Sequence, residues 1–216
     1  MKLIFMMLLS GGLSFQWAQT ESRPNMLSPG EQKEGFILLF DGKSLDKWDT
    51  GVDQKVWTIV DGAIKSNARQ GAGRILTREE FANFVLKAEF RADPEIHAHI
   101  LLRQPRPGAG GRGGAGYELQ IRDKDPSPRP DGSFLTASLV NVGRAPADAK
   151  ILAGRWNSVE ITMDGAHMMV TYNGRKVVDG QDSRRASGCI ALDLATPNEA
   201  PDANIEFRNL KIKRLP

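Results

Sequence analysis

Short segments of alternating or apolar residues recur along this 216-residue chain, and turn dipeptides separate them. Alternate residues of a β-strand share one face, so a period of two is typical of a strand with one buried side. No long stretch has the 3.6-residue period of an amphipathic helix, and the pattern therefore predicts an all-β domain. The predicted strands are Phe36–Phe40, Val56–Val60, Ala63–Ser66, Val85–Arg91, Ile96–Arg103, Tyr117–Arg122, Asn157–Met163, His167–Tyr172, Lys176–Val178, Cys189–Leu194 and Ile205–Leu215.

Three dipeptides that favour tight turns connect neighbouring segments. Asp61-Gly62, Asp164-Gly165 and Asn173-Gly174 each lie between two predicted strands, which indicates three hairpins. Thr77 and Glu80 have the spacing of a helix capping box and predict one short helix. Many short strands joined by tight turns predict a two-sheet sandwich of the jelly-roll class, with only short helical turns.

The first eighteen residues differ from the rest of the chain. Lys2 precedes the apolar run Leu3–Leu9, and further apolar residues extend to Ala18. This order is typical of a secretory signal peptide, and the run is too short for a transmembrane helix. We therefore expect residues 1–18 to direct export to the periplasm or the exterior, with no membrane anchor. Residues 19–34 are predicted to form a flexible tail, and residues 35–216 to form the domain.

Charge and cysteine content narrow the possible functions. The formal net charge is only +3 and the arginines are scattered, so we expect no nucleic-acid partner. The lone Cys189 cannot form an internal disulfide, and no CxxC motif for zinc or redox chemistry is present in the sequence.

Strand parity predicts a polar face on three central segments. In each segment one set of alternate residues is apolar and the other set is polar. If the three strands are neighbours, one surface carries Glu89, Arg91, His97, His99, Arg103, Glu118 and Gln120. A cluster of titratable groups of this kind is typical of a functional site. We expect the glycine-rich segment Pro105–Gly116 to form a mobile loop at its rim.

A series of sequence blocks occurs in order from about Gly35 to Leu215. The blocks are Gly35–Trp48, Trp57–Gly62, Phe84–Arg91, Ile100–Arg103, Gly116–Asp123, Gly154–Asn157, Tyr172–Gly174 and Ile205–Ile212. Together they resemble the 3-keto-disaccharide hydrolase family. The resemblance implies a concanavalin A-like jelly roll whose concave sheet binds carbohydrate. It also implies a glycoside substrate whose C3 is oxidised to a ketone.

One block departs from the family pattern. The family usually has Asn-Ser-Gly before the Ile-x-x-Arg strand, whereas this chain has His97, Ala98 and His99. Two imidazoles two residues apart on a strand lie on the same side, which favours metal binding or proton transfer at this position.

The implied chemistry needs a base for the C2 proton, a donor or cation for the enolate, and an acid for the leaving group. His97 or His99 is the predicted base, with Glu118 as an alternative, and Arg103 is predicted to stabilise the enolate. A divalent cation held by His97, His99 and Glu118 would act as a Lewis acid. The predicted substrate-binding residues are Glu89, Arg91, Gln120 and Asp123.

Two other functions remain open from the sequence. Glu89 and Glu118 could act as the carboxylate pair of an ordinary glycosidase. The segment Glu118–Asp123 faintly resembles the catalytic strand of jelly-roll glucanases, although Gln120 replaces its middle acid. The same fold also serves non-catalytic carbohydrate-binding modules, because a fold does not fix a function.

Overall fold

The computed structural model describes residues 23–106, 116–124, 132–195 and 200–216. These residues form one short α-helix, two 3-10 helices (Gly51–Asp53 and Ala68–Gln70) and thirteen strands, which confirms the predicted all-β sandwich. The helix is α1 (Pro29–Lys33), and the strands are β1 (Ile37–Leu38), β2 (Trp48–Asp49), β3 (Trp57–Val60), β4 (Ala63–Ser66), β5 (Gly73–Thr77), β6 (Phe84–Ala92), β7 (Ala98–Gln104), β8 (Tyr117–Ile121), β9 (Asn157–Asp164), β10 (His167–Tyr172), β11 (Arg175–Gln181), β12 (Cys189–Leu194) and β13 (Ile205–Arg214).

The strands form two antiparallel sheets. The eight-stranded sheet has the order β11-β10-β9-β6-β13-β4-β3, with β1 also paired to β13. The five-stranded sheet has the order β2-β5-β12-β7-β8. Many neighbours are distant in sequence, so the sheets depend on long-range pairing as well as on hairpins.

The core lies between the two sheets. Each strand turns one set of alternate residues inward, as Leu86 and Phe90 do in β6 and Ile100 does in β7. The ring of Phe207 lies 6.1 Å from Trp57 and 6.4 Å from Phe90, measured between ring centroids. The inward faces are therefore largely apolar, and polar residues that do face inward, such as Ser66 and Asn157, are buried and hydrogen-bonded.

The three predicted hairpins are present. Asp61 and Gly62 both have positive φ values, 49° and 74°, between β3 and β4. Asn173-Gly174 has the same backbone between β10 and β11, with φ values of 46° and 79°. Asp164-Gly165 connects β9 to β10. Two successive positive φ values suit the twist of the flanking strands, which explains the Asp-Gly and Asn-Gly pairs of the first two turns.

The predicted helix at Thr77 is wrong. Thr77 ends β5, where its hydroxyl donates to the carbonyl of Glu79 and accepts from the amide of Ile190. Its capping group is thus used to join β5 to β12. The capping box occurs instead at α1, where the Ser28 hydroxyl accepts from the Glu31 amide and the Glu31 carboxylate accepts from the Ser28 amide.

The expectation of a flexible tail over residues 19–34 is wrong for its described part. Asn25 is buried and exchanges hydrogen bonds with Asn209 of β13, at 2.6 Å and 2.9 Å. Glu31 of α1 forms an ion pair with Lys211 at 2.8 Å. Residues 23–34 therefore pack on the outer face of the eight-stranded sheet. The predicted signal peptide and most of the predicted rim loop lie outside the described residues.

No helix among the described residues is long and apolar enough to cross a membrane.

Candidate active site

The predicted polar face is divided between the two sheets. β6 belongs to the eight-stranded sheet, whereas β7 and β8 belong to the five-stranded sheet. Glu89 of β6 bonds to Arg208 at 2.7 Å, and Arg91 bonds to Glu206 at 3.0 Å. The prediction that Glu89 and Arg91 join the histidines is therefore wrong. Parity shows which residues of one strand share a face, but it does not show which strands are neighbours.

Arg103 also leaves the predicted face. The register between β7 and β12 shifts here, and Arg103 has a φ of 49°, so the alternation of side chains is broken. Its buried guanidinium donates to the carbonyl oxygens of Ala82 at 2.9 Å and of Gly165 and Arg185 at 2.8 Å each. Arg103 thus joins three loops, which does not fit the predicted role in stabilising an enolate. The bulge places Gln104 on the outer face instead.

Asp123 also has a structural role. Its carboxylate accepts hydrogen bonds from the hydroxyl of Thr136 at 2.8 Å and from the amide of Ile151 at 3.1 Å. These bonds hold the segment after β8 against residues from two other loops. The structure gives Asp123 a structural position and does not support its predicted contact with substrate.

The remaining predicted residues lie on the outer face of the five-stranded sheet. Strand register aligns Arg74 of β5, Asp193 of β12, His99 of β7 and Gln120 of β8 in one line across the sheet. We call these four residues the histidine row. His97 precedes β7 on the same face, two residues from His99. Asp193, His99 and Gln120 are buried although they face away from the core.

A chain of hydrogen bonds runs along this face. Arg74 Nε lies 2.8 Å from Asp193 Oδ1, and Asp193 Oδ2 lies 2.9 Å from His99 Nδ1. His99 Nε2 lies 3.1 Å from His97 Nε2, and His97 Nδ1 lies 2.8 Å from Arg122 Nη1. The chain therefore links one carboxylate and two imidazoles between two guanidinium groups.

The direction of these bonds follows from the donors available. A guanidinium only donates, so His97 Nδ1 accepts from Arg122 and a neutral His97 carries its proton on Nε2. His97 then donates to His99 Nε2, and His99 Nδ1 donates to Asp193. Every bond of the chain is satisfied when both imidazoles are neutral. In that state Asp193 orients His99 and leaves its Nε2 as a proton acceptor.

The electrostatic environment keeps His97 neutral. Burial lowers the pKa of His97 to about 4, and the neighbouring guanidinium of Arg122 acts in the same direction. Burial raises the pKa of Asp193, but hydrogen bonds from His99 and Arg74 outweigh it, and the net pKa is lowered. Near neutral pH the chain thus contains a neutral His97 and an ionised Asp193.

The predicted metal set is not assembled. Among the described residues there is no group of three His, Cys, Asp or Glu side chains placed to hold a metal ion. The ring nitrogens of His97 and His99 are engaged by Arg122, by Asp193 and by each other. Glu118 lies two residues before Gln120 in β8, where it is paired with Leu101 and not with a histidine. His97, His99 and Glu118 therefore do not fit a three-ligand site in this arrangement.

An open cleft of about 760 Å³ borders the histidine row. Its volume lies in the range of small-molecule sites. Arg74 and Asp193 belong both to the cleft wall and to the hydrogen-bond chain, so a ligand in the cleft would contact the chain directly. The other lining residues are Asp49, Thr50, Gly51, Asp53, Ala72, Gly73, Leu76, Arg106, Leu194 and Ala195.

Sequence reasoning missed Arg74, Arg122 and Asp193. Asp193 had a usable signal, because it is the single charged residue in the apolar segment Cys189–Leu194. A carboxylate inside a strand that is otherwise buried needs a partner, and such partners are common at functional sites. Arg74 carried no comparable signal, since β5 was not predicted.

Comparisons with known proteins agree with this architecture. The chain is similar to a candidate glycosyl hydrolase from Parabacteroides distasonis, with 21% identity and a TM-score of 0.75 over 90% of this chain and 100% of the other. It is similar to the carbohydrate-binding module CBM66 from Bacillus subtilis, with 15% identity and a TM-score of 0.51 over 77% of this chain and 96% of the module. The lumenal domain of VIP36, solved with Ca²⁺ and a mannose glycan, matches with 10% identity and a TM-score of 0.57, over 85% and 90% of the two chains.

These similarities confirm the predicted jelly-roll fold. A search of curated proteins found no match. The model of the 3-keto-alpha-glucoside-1,2-lyase-like domain matches residues 35–213, in agreement with the predicted resemblance. Because this match spans most of its length, the chain belongs to the family of 3-keto-alpha-glucoside-1,2-lyase-like domains.

Proposed function

We propose that this protein is a carbohydrate-active enzyme that cleaves 3-keto glycosides, with His99 as the base. Family membership supports the substrate class. The observation that carries the proposal is the 2.9 Å hydrogen bond between Asp193 and His99 Nδ1 on a face that borders the cleft. A carboxylate in this position orients an imidazole and stabilises the imidazolium that forms when the other nitrogen takes a proton.

The reaction begins at C2 of the oxidised sugar. The ketone at C3 acidifies the C2 proton, which His99 Nε2 removes, and the C–H electron pair forms the enolate. His97 and Arg122 supply N–H donors near the developing negative charge. The enolate then forms the C1–C2 double bond and breaks the bond from C1 to the leaving oxygen. Protonated His99 returns its proton to that oxygen, so the proton balance closes without a second acid.

His97 must move for this step to occur, because its Nε2 proton occupies the acceptor of His99 in the free protein. His97 is half-buried and precedes β7, whereas His99 is buried within the strand, so the ring of His97 is more accessible to a ligand. Substrate would displace this bond and expose His99 Nε2. Addition of water to the unsaturated product would then give net hydrolysis.

The geometry is unfavourable for the two-carboxylate glycosidase. Glu89 and Glu118 lie on different sheets, and Glu89 is paired with Arg208. Retaining and inverting glycosidases need both carboxylates on either side of one bond. A carbohydrate-binding module remains the second candidate, because several proteins of the same fold bind glycans.

The test uses the purified full chain with a 3-keto glycoside and its unoxidised parent, each with and without a chelator. We expect release of the aglycone from the 3-keto substrate alone. A substrate deuterated at C2 should react more slowly if removal of the C2 proton limits the rate. The His99→Ala variant should lose about 100- to 10,000-fold in kcat/KM, the usual contribution of a general base.

The matched control is Glu206→Gln, on the outer face of the eight-stranded sheet, which should keep its turnover. Equal cleavage of the unoxidised parent would contradict the proposal. Binding of both sugars without turnover would favour the carbohydrate-binding module. Loss of turnover with chelator, restored by a divalent cation, would support the metal expected from the sequence and contradict the metal-free mechanism.

We also propose that residues 1–18 direct export to the periplasm or the exterior. The support is the sequence alone, with Lys2 before an apolar run that ends near Ala18. Amino-terminal sequencing of the protein from an exporting host should begin at Gln19. An intact Met1 in a protein that stays in the cytoplasmic fraction would contradict this proposal.

A further inference from the structure

Gln120 of the histidine row has an unusual side chain. The residue is only 1% exposed, and its Oε1 atom receives no hydrogen bond from any residue that the structure describes. Its Nε2 atom donates weakly to Glu118 Oε2 at 3.4 Å. Turning the amide over would bring Oε1 against the Glu118 carboxylate, so the free acceptor is a property of the site. Buried polar atoms almost always have partners, and an exception needs an explanation.

A second buried glutamine on the same outer face provides the contrast. Gln104 Oε1 accepts from the amide of Gly116 at 2.8 Å, and its Nε2 donates to the carbonyl of Pro105 at 3.3 Å. Both polar atoms of this amide are thus hydrogen-bonded, and the bond to Gly116 connects β7 to the start of β8. The protein can satisfy a buried glutamine on this face, yet Gln120 keeps an unused acceptor.

We propose that Gln120 Oε1 accepts a hydrogen bond from a hydroxyl group of the bound sugar and selects for that hydroxyl. This inference rests on the proposed function for its substrate and deepens it. Gln120 lies directly opposite His99 in the antiparallel pair of β7 and β8, where Cα atoms are about 5 Å apart. A sugar ring whose C2 lies over His99 would therefore place a hydroxyl next to the ketone, at C2 or C4, near Gln120.

The acceptor is closed off in the free protein, so the ligand has to displace a neighbour to reach it. Among the described residues, Glu118 contacts the Gln120 amide and His97 precedes the facing strand, and both side chains are half-buried. Displacement of His97 is the same movement that exposes His99 Nε2 in the proposed reaction. A hydroxyl that bonds to Gln120 would thus help to hold the site in its reactive arrangement. A sugar without that hydroxyl leaves a buried acceptor unpaired, which is a strong basis for rejection.

The first experiment compares the stabilities of Gln120→Met and Gln104→Met, two replacements of similar volume. Replacing a structural glutamine removes its hydrogen bonds and destabilises the protein. Replacing a glutamine whose buried acceptor is unpaired removes a destabilising group, so the free protein becomes more stable. We expect the thermal midpoint to rise by about 2–4 °C for Gln120→Met and to fall by at least as much for Gln104→Met. A fall for both variants would overturn the proposal, because Gln120 would then be a structural residue.

The second experiment measures calorimetric binding of a 3-keto methyl glucoside and its 2-deoxy and 4-deoxy analogues to the His99→Ala protein, in which the proposed reaction is blocked. With Gln120 present, one of the two deoxy sugars should bind on the order of 10- to 100-fold more weakly than the parent. When Gln120→Met is added, the parent should bind as weakly as that analogue, and the difference between them should vanish. An unchanged difference in the variant would overturn the proposal.

Binding and stability are both measured without turnover, so the outcome is separate from that of the proposed function. Sugars that bind with this selectivity but are not cleaved would leave the role of Gln120 intact and remove the elimination chemistry. Cleavage of the 3-keto substrate without any effect of Gln120→Met on selectivity would support the elimination chemistry and contradict the role of Gln120.

Discussion

The outer faces of the two sheets carry similar residues in very different surroundings. On the eight-stranded sheet, Glu89 and Arg208 form an ion pair whose side chains are 28% and 26% exposed. On the five-stranded sheet, Asp193 and His99 are paired with side chains that are 11% and 9% exposed. Strand parity alone assigned Glu89 and His99 to one polar face. Burial therefore distinguishes a solvated surface from a candidate active site.

The physical difference lies in the dielectric environment. Exposed ion pairs gain little, because water screens them and their side chains lose freedom. Buried charges interact strongly with their partners, and removing one partner leaves the other desolvated and unpaired. The hydrogen-bond chain from Arg74 to Arg122 should thus respond sharply to mutation, and the pairs of the eight-stranded sheet should respond weakly.

The largest effect is expected for Asp193→Ala. The change leaves the buried His99 without its acceptor and Arg74 without its charge partner. We expect the free energy of unfolding in urea to fall by about 3–5 kcal/mol, the usual cost of breaking a buried pair. A loss below about 1 kcal/mol would mean that the two faces do not differ in the way proposed.

Arg103 is buried but does not belong to the histidine row, so a variant at this position tests the effect of burial alone. Arg103→Met would leave three carbonyl oxygens, those of Ala82, Gly165 and Arg185, without their donor. We expect a loss of about 3 kcal/mol in unfolding free energy, since each unsatisfied buried group is costly. The folded variant should keep the imidazole NMR signals of His97 and His99. A change in those signals would connect Arg103 to the site after all.

Where α1 covers the outer face of the eight-stranded sheet, an ion pair on that face is buried and not solvated. Glu31 and Lys211 are 14% and 7% exposed in their side chains. Burial raises the pKa of Glu31, but the hydrogen bonds from Lys211 and Ser28 and the charges of Lys211 and Lys87 lower it to about 2, from a usual value of 4.5.

The folded protein therefore keeps this carboxylate ionised at a pH where the unfolded chain protonates it. Its contribution to stability is complete above about pH 4.5 and is lost as the pH falls towards 2. The stability difference between the wild type and Glu31→Gln should shrink by about 2 kcal/mol across this range, as measured by urea unfolding at each pH. A difference that stays constant with pH would show that the pair is not coupled.

The smallest effect is expected for Glu89 and Arg208. A double-mutant cycle with Glu89→Ala and Arg208→Ala should give a coupling energy of about 0.5 kcal/mol, as for other partly exposed pairs. Arg208 also lies over the ring of Trp156, 4.1 Å from its centroid, so the single variants will differ in their costs. A coupling above about 2 kcal/mol would remove the contrast between the faces.

Local sequence signals predicted the fold correctly where the backbone itself required particular residues. Asn173-Gly174 and Asp61-Gly62 adopt positive φ values that few other pairs tolerate, and both hairpins were predictable. The capping-box motif is ambiguous, because both Ser28 and Thr77 are followed by a glutamate three residues later. Only Ser28 starts a helix, since Thr77 is used to bond β12. A motif of four residues cannot reveal such a long-range partner.

For the site, the sequence predicted which residues of one strand share a face, but not which strands pair. Parity placed His97 and His99 on one face, and the blocks of the family resemblance include parts of β7 and β8. The bulge at Arg103 has no glycine or proline to mark it, so the reversal of face there was hidden. Asp193 became part of the site through the pairing of β12 with β7, two strands separated by about ninety residues. Pairing of this kind is decided by the whole core and not by local pattern.

Strand β13 comes last in the chain order but lies in the middle of the eight-stranded sheet. It joins β6 on one side to β4 and β1 on the other. Before residues 205–214 leave the ribosome, the sheet consists of separate groups, β11-β10-β9-β6 and β4-β3, with unpaired edges. Closing such distant pairings is slow compared with forming hairpins. Completion of this sheet thus waits until residues 205–214 have been synthesised, and until then those edges are open to pairing with other chains.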